Sequence, residues 1–230
     1  MSRHNKLQKF NDLLTYRNVY ENFYTRKPLL HWLDNQHIEM QGLWNSQHFG
    51  SDRPITLELA CGGGEYTVAL AAMYPNRHFI GVDIKGPRIW KGATQALARG
   101  LDNAAFVRLR IELIEPFFAP DEVDEIWITF PDPYLNDSRN NRRLTAPSFL
   151  EIYRKFLKPG GVVHLKTDEP KLYHFTLAVL QRDPRCKVLY HDDDIYAKEL
   201  PYPELGTKTH YETLHIADGN QICYIRFTIN

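Results

Sequence analysis

From residue 54 to residue 183 short apolar runs alternate with helix-patterned stretches, and this alternation constrains the chain more than any other feature. PITLELA (54 to 60) reads as a buried strand and EYTVALAAMY (65 to 74) as the helix after it. HFIGVDI (78 to 84) and PRIWKGATQALARG (87 to 100) repeat the pair, the second helix being closed by Gly100. AAFVRLR (104 to 110) and VDEIWITF (123 to 130) follow as strands, then PSFLEIYRKFL (147 to 157) as a helix ended by Pro159-Gly160-Gly161. GVVHLKT (161 to 167) is a fifth strand and KLYHFTLAVLQRD (171 to 183) its helix. Parallel strands need long crossovers, which helices of this length supply, so the expected fold is α/β with a mostly parallel sheet and helices on both faces.

The two ends depart from the pattern. CKVLYHD (186 to 192) and QICYIRFTI (221 to 229) predict two closing strands joined by a long irregular connection, with an antiparallel edge to the sheet. Residues 1 to 50 predict an N-terminal helical arm, partly mobile, built on LQKFNDLLTYRNVYENF (7 to 23); the catalytic domain would then span 51 to 230.

A chain of 230 residues, 43% hydrophobic and 24% charged, suits one large domain. It holds no apolar stretch approaching the roughly 18 residues of a membrane span, and its start lacks the apolar core of a signal peptide, so a cytoplasmic protein without membrane partners is expected. Three cysteines without CxxC spacing and ten scattered histidines without HExxH indicate neither a disulfide framework nor a metal site. Net charge is zero, against a protein that coats nucleic acid over its whole surface, but the charges are segregated. Residues 1 to 27 and 137 to 158 each carry six Lys or Arg against two acids, whereas 112 to 132 carries seven acids and no base. Two such excesses suit a polyanion touching one face; solvated helix faces explain them equally.

Chemistry concentrates at strand ends. Glu58-Leu59-Ala60-Cys61-Gly62-Gly63-Gly64-Glu65 joins the first strand to its helix, where a glycine turn lets backbone approach a ligand. Asp83 ends the second strand 19 residues beyond Gly64, where an acid accepts hydrogen bonds from the ribose hydroxyls of an adenosine. The dinucleotide spacing GxGxxG is not met, and carboxylates at Glu58 and Glu65 disfavour a pyrophosphate while suiting a cationic ligand such as S-adenosylmethionine. Phe130-Pro131-Asp132-Pro133-Tyr134 ends the fourth strand, with the prolines stiffening the backbone around Asp132; the same residues are also ordinary turn formers. A loop bearing Arg139, Arg142 and Arg143 follows, and Thr167-Asp168 ends the fifth strand. Glu58, Asp83, Asp132 and Asp168 are thus expected on one rim.

Over residues 50 to 230 the chain resembles the tRNA (guanine-N7-)-methyltransferase family, which methylates guanine 46 of the tRNA variable loop. The resemblance rests on LELACGGGEY for the family's E-I-G-x-G-x-G loop, FPDPYLNDSRNNRRL for F-P-D-P-W-x-K-x-R-H-x-K-R-R, FLKPGGVVHLKTD, and Thr209-His210-Tyr211-Glu212 for T-x-[YF]-E. It implies a Rossmann-like class I methyltransferase fold with a seven-stranded sheet, S-adenosylmethionine as cofactor, tRNA as partner, no metal, and a monomer or homodimer. It puts Glu58, Ala60, Gly62, Gly64, Asp83 and Asp132 at the cofactor, with Asp132 the catalytic holder, and Asp168 with Thr209, His210, Tyr211 and Glu212 at guanine and tRNA. Ala60 replaces the loop's first glycine, which a negative φ tolerates. Arg110 stands where the family has an acid near the adenine, so that contact passes to backbone or to Ile111 and Glu112. Asn136 replaces a lysine and Tyr134 a tryptophan; Arg139, Arg142 or Arg143 are expected to grip tRNA phosphates in compensation, and Tyr134 either stacks on the guanine or packs. Asp168 and Glu212 are expected to accept from guanine N1–H and its amine. The alternatives are a methyltransferase acting on another RNA or DNA base, since Asp132-Pro133-Tyr134 partly matches D-P-P-Y, and a non-catalytic RNA-binding relative.

Overall fold

The computed structural model describes residues 6–22 and 29–230. Its centre is β4 (Ile55–Leu59), buried along its whole length because sheet lies on either side and helices on both faces. From there the chain runs outward through α2 (Glu65–Met73), β5 (His78–Asp83), α3 (Gly86–Ala98) and β6 (Ala104–Arg108). It then returns to the other side of β4 with β7 (Val123–Thr129), α4 (Pro147–Tyr153), β8 (Leu157–Thr167) and α5 (Pro170–Arg182). The pairs β4·β5, β5·β6, β4·β7 and β7·β8 are all parallel, so the strand order reverses at β4 and opens a crevice at the carboxyl ends of β4 and its neighbours.

Side chains alternate across this sheet with period two. Leu57, Ile80, Val107, Ile126 and Leu165 enter one apolar cluster, while Phe79, Phe106 and Trp127 enter another on the opposite face.

The closing strands are β9 (Cys186–Asp192) and β10 (Cys223–Ile229), and β10 lies between β8 and β9, antiparallel to both. The strand at the edge is β9, whose alternating half-buried and exposed residues suit cover on one face. The expected seven strands are present, and three short ones extend them: β1 (Val19–Glu21), β2 (Leu30–Trp32) and β3 (Gln36–Ile38), with β1 parallel to β6.

Three local expectations need correction. The helix expected over 7 to 23 is α1 (Lys6–Leu13), after which the chain turns into β1; Phe23 lies outside the described residues. Tyr20, Leu30, Met40 and Trp44 join the apolar cluster of the sheet, and Trp44 Nε1–H donates to the Phe117 carbonyl at 2.9 Å. Helix α4 stops at Tyr153, four residues early, because Leu157 already pairs with Val123; Pro159-Gly160-Gly161 form a bulge before Val162 pairs with Glu125. Finally, the connection after β9 is not irregular throughout: α6 (His210–Ala217) begins at Thr209.

Candidate active site

The turn after β4 is left-handed at Ala60 (φ 59°), Gly62 (55°) and Gly64 (69°). At Gly64 a Cβ would lie 2.6 Å from Phe106 Cε1, so glycine is required there on two counts. Ala60 contradicts the expectation of a negative φ: the turn keeps the conformation a glycine would adopt, and alanine carries the strain. Beside this turn opens a cleft of about 500 Å³, lined by Ala60, Asp83, Leu109, Ile111, Phe130 and Asp132 among others. Asp83 accepts the Gly62 N–H at 2.9 Å through one oxygen and the Lys85 N–H at 2.7 Å through the other. Both bonds fix the carboxylate at the cleft wall and leave each oxygen a second lone pair for a ligand hydroxyl.

Glu58 is not on the rim. Only 4% exposed, it accepts from the Thr67 N–H at 2.8 Å, from the Thr67 hydroxyl, and from the Thr129 hydroxyl at 2.9 Å. It therefore ties the first turn of α2 to the end of β7 beneath the cleft. Burial pushes its carboxyl up to about 7, against the lowering effect of those hydrogen bonds.

At the end of β7 the backbone is left-handed at Phe130 (φ 48°) and again at Tyr134 (44°), so the Pro-Asp-Pro segment is bent away at both ends and Asp132 is exposed at the cleft. Two cations hold this loop by its carbonyls. Arg143 donates to Pro133 O at 2.9 Å and Tyr134 O at 3.0 Å, with its guanidinium 4.4 Å from the Phe175 ring centre. Lys171 of α5 donates to Leu135 O at 2.7 Å and pairs with Asp137 at 2.9 Å. Arg143 is 1% exposed, which removes it from the expected phosphate contacts; Arg139 and Arg142 are exposed, and Arg142 lines the cleft. Asn136 spends its carbonyl oxygen on Ser138, capping the short 3₁₀ turn Asp137–Arg142. Tyr134 lines the cleft, as do Arg110 and Ile111, and Glu112 joins them two residues beyond the position where an acid was expected.

Asp168 emerges at the end of β8, 2.7 Å from Nδ1 of His215 on α6. Thr209 caps α6 and Glu212 completes a capping box with it. Glu212 is wholly buried: Oε1 accepts the Lys166 ammonium at 2.7 Å and the Tyr196 hydroxyl at 2.6 Å, and Oε2 lies 3.3 Å from the Thr209 N–H. Both oxygens are committed, which corrects the expected contact with guanine. Burial pushes the Lys166 ammonium down, and the Glu212 carboxylate opposes that shift. His210 and Tyr211 are exposed, and the Tyr211 hydroxyl lies 3.4 Å from Arg88 at the start of α3. Of the expected site residues, then, the structure gathers Ala60, Asp83, Arg110, Ile111, Asp132 and Arg142 at one cleft and puts Glu58, Arg143 and Glu212 into its supports. Sequence reasoning missed Lys166, which lies within FLKPGGVVHLKTD, and Lys171, Tyr196 and His215, which stand in no motif.

The donor set fits S-adenosylmethionine: hydroxyl-accepting Asp83, apolar Leu109 and Ile111 beside it for a purine ring, and a second carboxylate, Asp132, for the cationic end. A parallel sheet reversed at β4, an antiparallel strand inserted next to the edge, a glycine turn and these two acids define a class I S-adenosylmethionine-dependent methyltransferase. The family model described as "Putative methyltransferase" matches residues 52–225. The chain is 45% identical over 230 residues to a tRNA (guanine-N(7)-)-methyltransferase of Christiangramia forsetii, covering 100% of both chains. It is 44% identical over 225 residues to the enzyme of that name from Bacteroides thetaiotaomicron, covering 98% of this chain and 86% of the relative. It belongs to the tRNA (guanine-N(7)-)-methyltransferase family. Among solved structures, the 16S rRNA methyltransferase KamB shares the fold at TM-score 0.60 and 15% identity, over 85% of this chain and 96% of that one.

Among the described residues no helix is long and apolar enough to cross a membrane, and no group of three or more His, Cys, Asp or Glu is placed to hold a metal ion.

Proposed function

We propose that this protein transfers a methyl group from S-adenosylmethionine to N7 of guanine 46 in the variable loop of tRNA, acting in the cytoplasm as a monomer or homodimer. The observation that carries the reading is the meeting of Asp83 and Asp132, from the ends of β5 and β7, the parallel strands on either side of β4, in one cleft beside the glycine turn.

S-adenosylmethionine supplies an electrophilic methyl on a sulfonium cation. Guanine N7 offers an in-plane lone pair that is unprotonated at neutral pH, so the chain needs no general base. With S-adenosylmethionine in the cleft, Asp83 would take the ribose hydroxyls, Leu109 and Ile111 would flank the adenine beside Glu112, and Asp132 would hold the cationic end. Because the positive charge only moves from sulfur to the purine, a fixed carboxylate favours reactants, transition state and product to similar degrees, and it tightens binding more than it speeds transfer. Rate comes from alignment, an effect that reaches roughly 7–11 kcal/mol in well-oriented reactions. The loop braced by Arg143 and Lys171 is the part of the chain that enforces it.

On the acceptor side Asp168 takes the guanine N1–H and exocyclic amine, a donor pair that adenine lacks; Tyr134 lines the cleft and the exposed Tyr211 reaches the cleft-lining Arg88, so both rings are available to an unstacked base. Arg142, exposed in the cleft lining, and Arg139, exposed on the same loop, contact tRNA phosphates.

Incubating the protein with labelled S-adenosylmethionine and unmodified tRNA transcripts tests the reading. Label should enter transcripts with G46, become sensitive to borohydride and aniline cleavage at that position, and be lost when A replaces the base. Equal labelling of both transcripts would overturn the assignment.

A further inference from the structure

His215 lies between the end of β8, at Asp168, and the end of β7, at Phe130, which lines the cleft. Its Nδ1 lies 2.7 Å from Oδ2 of Asp168, with the two side chains 34% and 23% exposed. An approach this short requires a proton between the atoms, and a carboxylate has none to give, so Nδ1 carries it. The Asn220 amide nitrogen lies 3.3 Å from the same Nδ1, but a protonated Nδ1 cannot accept from an amide N–H, so Asp168 is the partner of this nitrogen. The imidazole is also nearly parallel to the ring of Phe130, at 19° and 6.4 Å between centres, and Phe130 stands two residues before Asp132. The support is rigid: α6 is tied to β8 through the buried Glu212–Lys166 pair and to Tyr196 through a 2.6 Å hydrogen bond.

A partly exposed carboxylate at a strand end turns about its last torsion, and one N–H donated in its plane stops that rotation. We infer that His215 is a positioning residue for base recognition, fixing the plane of the Asp168 carboxylate so that its remaining lone pairs meet the N1–H and exocyclic amine of the target guanine. This rests on the proposed role of Asp168 in taking guanine and adds a residue outside every motif of the family resemblance.

The test compares methyl transfer to tRNA transcripts carrying guanosine or inosine at position 46, since inosine keeps N7 and N1–H but lacks the amine. Wild type should prefer guanosine, and His215→Phe, which keeps a flat ring and loses the N–H, should lower kcat/KM for guanosine by about tenfold and shrink the preference to about twofold. Affinity for S-adenosylmethionine by calorimetry should not change. His215→Asn, whose amide N–H takes the place of Nδ1–H, should restore the preference to within about threefold of wild type. A His215→Phe protein that keeps rate and preference overturns the inference, as does a folded His215→Asn protein that falls as far as His215→Phe. Asp168→Ala separates the two levels. If it abolishes the preference while His215→Phe does not, His215 alone is misassigned; if it leaves the preference intact, the guanine role of Asp168 fails and this inference with it.

Discussion

The cofactor side and the acceptor side of the cleft use the same residue types in opposite ways. At the ends of β5 and β7 the acids Asp83 and Asp132 line open space. Along β8 and α6, Glu212 and Lys166 are wholly buried and face each other; between the two sides, in the loop after β7, Arg143 is turned inward to hold carbonyls. A carboxylate or guanidinium in a motif is therefore a ligand group or a strut according to burial alone. The motif Thr209-His210-Tyr211-Glu212, expected to touch tRNA, is at its two outer positions a helix cap docked on a buried ammonium. Its exposed members are His210 and Tyr211.

The sharpest way to break this contrast is at the buried pair. Glu212→Ala leaves the Lys166 ammonium without its counter-charge and should cost about 3–5 kcal/mol of stability in urea denaturation, whereas Asp132→Ala, at an exposed carboxylate, should cost less than about 1 kcal/mol. Equal costs would show that the two sides do not differ. Glu58 marks the same divide within the cofactor side. Its folded carboxyl titrates near 7, above the ordinary 4.5, so the folded state holds a proton that the unfolded state has released between those values. Stability lent by that proton is complete below pH 4.5 and drains away as pH rises to 7. Relative to Glu58→Gln, wild type should lose about 3 kcal/mol across that interval and then level off, read from denaturation curves at several pH values.

Arg143 and Arg139 separate strut from contact within one loop. Arg143→Ala should lower kcat about 100-fold by loosening the Asp132 segment while leaving the salt slope of tRNA binding unchanged. Arg139→Ala should leave kcat near wild type and reduce that slope by about one. The smallest effect is expected at Ala60, where glycine relieves a left-handed alanine. Ala60→Gly should stabilise the protein by about 1 kcal/mol, less the added freedom of the unfolded chain, and show as a small rise in Tm.

Strands β4 to β8 were legible because burial on both faces writes them as apolar runs, and Asp83 and Asp132 were legible because the carboxyl end of such a run is where a ligand meets the sheet. Insertion of β10 between β8 and β9 was not, since pairing order is decided by contacts between segments distant in sequence. Helix α6 carried one local signal that went unread, the S/T-x-x-E capping pattern at Thr209 and Glu212, whose residues coincide with T-x-[YF]-E. The buried state of Arg143 had no local sign, because its acceptors are backbone carbonyls, and that of Glu212 had none because Lys166 lies 46 positions away along the chain. Ala60 shows the limit from the other side: the motif locates the turn, but its left-handed φ is set by the fold.

Calorimetric titration of S-adenosylmethionine into Asp83→Ala and Asp168→Ala proteins tests the division between the two sides most directly. The account predicts that Asp83→Ala loses measurable binding while Asp168→Ala binds as wild type does and is slowed only in methyl transfer to tRNA. Undiminished binding by Asp83→Ala, or loss of binding by Asp168→Ala, would contradict it.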